Sequence, residues 1–423
     1  MVRYFVFSDP SEAGRVAELA PENGVHWTRL ADSTVLWTVS EEWGVFAEKA
    51  GRLGLHIDPV AGRDLEGQLY LVVQVGRSFQ NAYPEARTVV DKGRYLVVEL
   101  LAEEMRRLAE HDEVCWAVRP LPVDRVALEV LPPISQEVVP WVQALVTEVS
   151  QPTYSGYLNS LTMLPTRHSL SLHFTNVANW TLDELQRLGY QVELRPITVG
   201  AGSSYNVVAD RLGHASGVRD LVLVTAHLDS INIAGGAEAP APGADDNASG
   251  SAGVLEIARV LASHSARHDL RLILFGGEEE GLHGSIQYVA GLPPSERARI
   301  RGVIIMDMIA TLNTVTPTVL LEGGAVSQAL MNHLAGAAGT YTSLTVQKSF
   351  NPFASDHVPF INALIPAVLT IEGSDSANAN IHTANDTLAH INYSLALDIV
   401  RMNLATTAIL LGIIDGISAP TSS

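Results

Sequence analysis

The rhythm of apolar and polar positions changes near residue 130. Before that point, short apolar runs alternate with polar turns and two amphipathic stretches. The first part predicts a strand at 4–7, a strand at 35–39, a helix at 43–53 and a short strand at 55–57. The second part repeats that order, with strands at 69–75 and 94–100, a helix at 102–110 and a strand at 114–118. Each copy closes on a proline, Pro59 and Pro120. Two such units predict a small α+β domain over residues 1–130 with an internal repeat. Its acids and bases are scattered as on a solvated face.

Leu131-Pro132-Pro133 marks a hinge. Beyond it, helical patterns at 138–149, 180–188, 253–262 and 325–335 alternate with short apolar runs at 221–226, 270–275, 303–306, 319–321 and 367–371. These runs are Leu-rich or β-branched and bounded by Gly, Asp or Glu, as in strands buried on both faces. Alternation of this kind predicts an α/β domain with a mostly parallel central sheet flanked by helices, spanning residues 134–418. In such sheets, sites form at the carboxyl ends of strands. The longest apolar run, 405–414, is too short for a membrane span and reads as a buried terminal helix. The opening residues lack the apolar core of a signal peptide.

The carboxyl ends of the buried runs carry the chemistry. The first ends in His227-Leu228-Asp229, the second in Gly276-Gly277-Glu278-Glu279-Glu280, and the third in Asp307. Two Gly- or Asn-rich segments add Asp245-Asp246-Asn247 and His382-Thr383-Ala384-Asn385-Asp386. Singly, each is ordinary: an imidazole after a strand, acids at a helix start, an Asp-Asp-Asn turn. Together they load one sheet edge with carboxylates that repel one another unless neutralised, and a divalent metal is the economical answer. The sole cysteine, Cys115, rules out a disulfide and any thiolate cluster, so a metal must be held by His and carboxylate, a donor set that suits zinc. His227 and Asp229 alternate by two on extended chain and face one side, so Asp229 is placed to orient the imidazole.

In this order and spacing, the stretches Ala226-His227-Leu228-Asp229-Ser230, Pro242–Gly250, Glu278–Ser285, Met306-Asp307-Met308, Ser355-Asp356-His357 and Ile381–Thr387 resemble the co-catalytic di-zinc aminopeptidases, metallopeptidase family twenty-eight. The resemblance implies a zinc-exopeptidase fold and two Zn²⁺ ions bridged by Asp246. His227 and Asp307 would complete one site, and Glu279 and His382 the other. Glu278 would be the general base on a water between the ions, and Asp229 would orient His227. The resemblance also implies a cis Asp246–Asn247 peptide, a substrate peptide with a free N-terminus, and a secreted or periplasmic setting. Some relatives carry a tyrosine just before Ser-Asp-His that assists the oxyanion. Here Asn351-Pro352-Phe353-Ala354 stands there, and neither Pro352 nor Phe353 can donate. Met308, Phe353, Phe360 and Ile371 are candidates for an apolar specificity pocket, with core packing the plainer role for each.

Charge narrows the alternatives. With 27 Lys and Arg against 46 Asp and Glu, the formal net charge is −19. That opposes nucleic-acid binding, which needs cations against phosphate. Serine-hydrolase and phosphate-loop signatures are missing from the sequence. A carboxypeptidase of the same fold would need arginines for the substrate carboxylate, and few lie near the motifs. A one-zinc glutaminyl cyclase conflicts with the bridging ligand set. A non-catalytic binding module conflicts with a complete ligand set plus Glu278. The N-terminal region reads as an accessory or pro-domain that limits access, or as passive support.

Overall fold

The computed structural model describes residues 2–8, 12–55, 63–108 and 115–413. They group into two units, one within Met1–Val130, Gln347–Ala354 and Ser374–Ala377, the other within Leu131–Val346, Ser355–Gly373 and Asn378–Ser423.

The first unit contains two four-stranded arrangements of one connectivity. The strands Val2–Phe7, His26–Leu30, Ser33–Val39 and Arg63–Asp64 are interrupted by the helices Ala13–Leu19 and Ser40–Arg52. Gln68–Gln74, Arg87–Lys92, Tyr95–Leu100 and Trp116–Pro120 are likewise interrupted by Ser78–Ala82 and Ala102–Leu108. In both, the third strand lies between the second and the first, and the fourth borders the first, all antiparallel. The sequence pattern misses the first helix and second strand of each copy, which are short and only partly apolar. Residues 56 and 57 of the expected strand 55–57, Pro59, the end of the expected helix 102–110 and Val114 lie outside the described residues. Each copy has its own core. In the first, Trp43, Phe46 and Ala50 form one apolar helical face against Phe7, Val16 and Leu36. In the second, Phe79 and Trp116 meet edge to face, with centroids 5.4 Å apart.

Segments from far along the chain complete this unit. Gln347 and Lys348 pair antiparallel with Val130 and Glu129. Ser349 Oγ and Asn351 Nδ2 both donate to the Ala127 carbonyl at 3.0 Å. Buried Arg94 meets buried Asp375 at 3.2 Å and donates to the Phe353 carbonyl at 2.6 Å. A boundary drawn from the sequence at residue 130 therefore omits two returning segments.

The second unit is a mixed sheet covered by helices. Leu221–His227, Asp269–Phe275, Ile300–Met306 and Ala367–Glu372 run parallel. Antiparallel strands flank them: Gln191–Val199 and Gly202–Arg211 on one side, Thr318–Gly323 on the other. The parallel strands are buried along almost their whole length, which explains their continuous apolar runs. Leu221–His227 lies between Asp269–Phe275 and Ile300–Met306, so the chain leaves it toward opposite sides in turn. That reversal opens a crevice at the strand's carboxyl end.

The helix Leu172–Arg187 starts earlier than expected, where Ser171 Oγ accepts the Phe174 N–H at 3.2 Å. The terminal helix runs over Tyr393–Leu411, capped by Asn392, and is 19 residues long. By length and composition it could cross a membrane, but most of it is buried in the core of this unit. Residue 414, the expected end of the terminal run, lies outside the described residues.

Candidate metal centre

Three parallel strands deliver three side chains to one edge. His227 is the last residue of Leu221–His227. Asp269–Phe275 runs into Gly276-Gly277 and then the three glutamates, and Ile300–Met306 runs into Asp307. Asp246 comes from the irregular turn Ala244–Ser249, and its peptide bond to Asn247 is cis. Asn247 ties this turn to the neighbouring strand end: its Nδ2 donates to the Met306 carbonyl at 2.9 Å and its Oδ1 accepts the Gly250 N–H at 2.9 Å. His382 arrives on a loop beyond the strand Ala367–Glu372.

The five residues converge as two clusters sharing Asp246. His227 Nε2 lies 3.2 Å from Asp246 Oδ1 and 3.1 Å from Asp307 Oδ1. His382 Nε2 lies 3.1 Å from Asp246 Oδ2 and 3.1 Å from Glu279 Oε2. Ligands placed tetrahedrally at zinc distances of about 2.0–2.1 Å stand about 3.3 Å apart. The spacing within each cluster therefore fits one divalent ion per cluster, with one Asp246 oxygen facing each. Among the described residues, buried Asp229 Oδ1, His227 Nδ1 and Glu279 Oε1 have no hydrogen-bond partner. Such a concentration of underused donors and acceptors fits a metal site.

By mutual approach alone, Glu278 also groups with His227 and Asp307, and His227 with Asp246 and Glu279. The shorter His–carboxylate distances favour the division above, leaving Glu278 beside the His227 cluster. Asp229 faces His227 as expected, but its Oδ1 is 3.6 Å from Nδ1, beyond a hydrogen bond. Its Oδ2 accepts the Glu279 N–H at 3.1 Å, so it links the two clusters through the backbone. Ser355 donates to Asp307 Oδ2 at 2.7 Å, leaving Oδ1 for the cluster.

Electrostatics reflect the crowding of acids. Burial opposes ionisation of Asp246, yet the imidazoles of His227 and His382 more than offset it and hold its carboxyl well below the ordinary range. Burial disfavours a charged His227, but Asp307, Glu278, Asp229 and Asp246 prevail and hold its proton well above the usual pH. His382 is raised in the same way against burial, by Glu279 and Asp246. Burial, then the charge of Asp246, pushes Glu279 up to about 7. Burial also raises Glu278 well above its ordinary value, assisted by Asp307 and Asp356. Bound protons therefore take the place of a cation's charge.

Residues 206–407 match the model of peptidase family M28. The segment carrying the two clusters belongs to peptidase family M28. Over 194 residues it is 34% identical to leupeptin-inactivating enzyme 1 of Streptomyces exfoliatus, covering 45% of this chain and 41% of that one. Over 185 residues it is 34% identical to aminopeptidase YwaD of Bacillus subtilis, covering 41% and 37%. The chain thus spans about two fifths of the length of these curated relatives. The fold is shared with the LapA aminopeptidase of Legionella pneumophila: TM-score 0.59, 18% identity, 82% of this chain and 99% of that one.

Some expectations about this M28 segment change. Met308, Phe360 and Ile371 take the plainer expected role, as core residues; Phe360 packs against Phe275 and Tyr288. Phe353 belongs to the other unit. The expected scarcity of arginine near the motifs overlooks Arg167, which is fully buried and donates to carbonyls of two site loops. Its distance in sequence from every motif hid it, and the strand-end signal could not find it. Asp386 sat inside a recognised motif, but its partners, the backbone of residues 244–246, became visible only in three dimensions.

Proposed function

We propose that the protein is a zinc-dependent aminopeptidase that hydrolyses the N-terminal peptide bond of peptides, with two ions held by His227, Asp246, Asp307, Glu279 and His382. The observation that carries this reading is the division of Asp246: each of its oxygens faces a different imidazole, and each imidazole faces a second carboxylate. The names of the family relatives, among them a probable zinc metalloprotease of Pyrenophora tritici-repentis, support zinc and peptide substrates. When bound, the ions supply Lewis-acid polarisation of the peptide carbonyl and acidify the attacking water.

The protein's own groups supply the rest. Glu278 takes the proton of the attacking water and returns it to the departing amine. Asp229 orients His227 and, through the Glu279 N–H, the neighbouring cluster. The carboxylates around His382 attract the substrate's α-ammonium, which restricts cleavage to the first residue. Arg167 offers no anchor for a substrate's C-terminal carboxylate, because backbone carbonyls occupy its guanidinium.

The test is product analysis by mass spectrometry with the zinc-loaded protein, one peptide with a free N-terminus and its N-acetylated twin. Stepwise loss from the free N-terminus alone is the expected result. Loss from the C-terminus of both would replace the aminopeptidase reading with a carboxypeptidase one.

A further inference from the structure

Arg167 follows Thr166, which pairs with Ala241 in an isolated bridge, and precedes the helix Leu172–Arg187. It lies outside the segment matched to the family, 206–407. Its guanidinium is fully buried and makes contact in two directions. Nε donates at 2.8 Å to the carbonyl of Leu228, the residue after His227. Nη2 donates at 2.8 Å to the carbonyl of Gly243, and Nη1 donates to Pro242, on the turn that leads into Asp246. Nη1 also reaches the Leu161 carbonyl at 3.3 Å. The Arg167 N–H donates to Ser230 Oγ at 3.1 Å, and that hydroxyl donates to the Ala241 carbonyl at 2.7 Å. One side chain thus joins the backbone after the first histidine to the backbone before the bridging aspartate.

The next residues of the same turn are held by Asp386. Its Oδ1 accepts the Asp245 N–H and its Oδ2 accepts the Asp246 N–H, both at 2.9 Å, and its carbonyl accepts the Ala244 N–H at 3.1 Å. Asp386 is four residues beyond His382, so this carboxylate joins the second histidine's loop to the bridging aspartate. The turn between them has no slack. Gly243 has φ +52, and a Cβ there would collide with the Asp246 carbonyl oxygen, with Ser230 and with the Arg167 guanidinium. Burying an isolated guanidinium is costly unless it is hydrogen-bonded and near opposite charge. Burial lowers its proton affinity to about 10, with the Asp386 charge foremost among the groups opposing the fall, so the cation persists at neutral pH.

We propose that Arg167 and Asp386 are a pair of positioning residues that hold the Asp246 turn, one through its carbonyls and the other through its N–H groups, and so set the spacing of the two metal clusters. The inference rests on the metallopeptidase reading above. Neither residue ligates: Arg167 acts through carbonyls and Asp386 through N–H groups. Outer partners that orient ligands commonly govern metal affinity by about 10–100-fold.

The experiment measures Zn²⁺ binding to the metal-stripped full chain by competition with a chromophoric chelator, together with melting temperature with and without Zn²⁺. Wild type is compared with Arg167→Lys, Arg167→Met and Asp386→Asn. Arg167→Lys retains charge but cannot span both loops, and Asp386→Asn can accept only one of the two N–H groups. Each is expected to weaken zinc binding by about 10–100-fold and to shrink the zinc-induced rise in melting temperature. Arg167→Met risks misfolding; the other two variants then carry the test. Wild-type zinc affinity in folded Arg167→Lys and Asp386→Asn, with melting lowered equally in the stripped and loaded forms, would show a merely structural role and overturn the proposal. A wild-type chain that binds no zinc would overturn the underlying metallopeptidase reading, and this one with it.

Discussion

Replacing Glu278 by Gln separates the two roles its position allows. Glu278 groups with His227 and Asp307 by proximity, yet the closer approaches leave it outside the five-residue set. Gln keeps the shape, so the surrounding packing persists, but the amide cannot accept and return a proton. General-base assistance contributes about 10²–10⁴-fold, or about 3–5 kcal/mol of barrier. The expected outcome is a fall in kcat of that size with wild-type zinc content. The assay pairs steady-state kinetics on a peptide with a free N-terminus with elemental analysis of the same preparation. Zinc loss in Glu278→Gln would place Glu278 among the ligands. Unchanged kcat with full zinc would remove it from the proton path, and either result refutes the reasoning.

Asp246→Asn is expected to abolish high-affinity binding of both ions, whereas His382→Ala should spare the His227 site; zinc titration by calorimetry distinguishes one site from two. Gly243→Ala forces a methyl into the Asp246 carbonyl and should reduce zinc content and activity together. In the metal-free chain, folded-state proton affinities are raised for Glu279 (to about 7), His227 and His382, so the native state holds more protons than the unfolded one. The contribution of these three groups is therefore fullest below their unfolded values and falls as pH rises through about 7 and beyond, while that of Asp246, held low, is lost only at pH below the ordinary carboxylate range. Zinc must displace those protons, so zinc affinity falls as pH is lowered; melting curves with and without zinc between pH 5 and 8 should show the opposite trends. Removing residues 1–130 deprives Asp375 of Arg94 and strips the 347–354 segment of its partners Ala127 and Arg119. A chain starting at Pro133 should therefore melt at lower temperature; unchanged melting together with unchanged turnover would sink any coupling of that unit to the fold.

Much of this was written locally. Buried parallel strands announce themselves as short β-branched runs, because neither face meets water. The residues at the ends of those runs stood out because His227 and Asp307 close or follow their strands directly and Glu278 and Glu279 come just after the Gly276-Gly277 pair. Short or half-polar elements did not announce themselves. The helices Ala13–Leu19 and Ser78–Ala82 bury only part of one face, and the edge strand Gln191–Val199 is exposed or half-buried along most of its length. Arg167 carries no local signal either, since an arginine fully buried among carbonyls looks in sequence like any surface arginine.

The sequence by itself determined the buried parallel strands, the order of the candidate ligating residues and the chemistry open to them, because these depend on side-chain type and near neighbours. Only the tertiary structure decided which oxygen of Asp246 faces which histidine, that Arg167 and Asp386 both bond the backbone of its turn, and that segments 347–354 and 374–377 belong with the first 130 residues. Those facts depend on where loops separated by tens to hundreds of residues meet. The packing of the sheet sets those meeting points, and no local pattern of the chain encodes them.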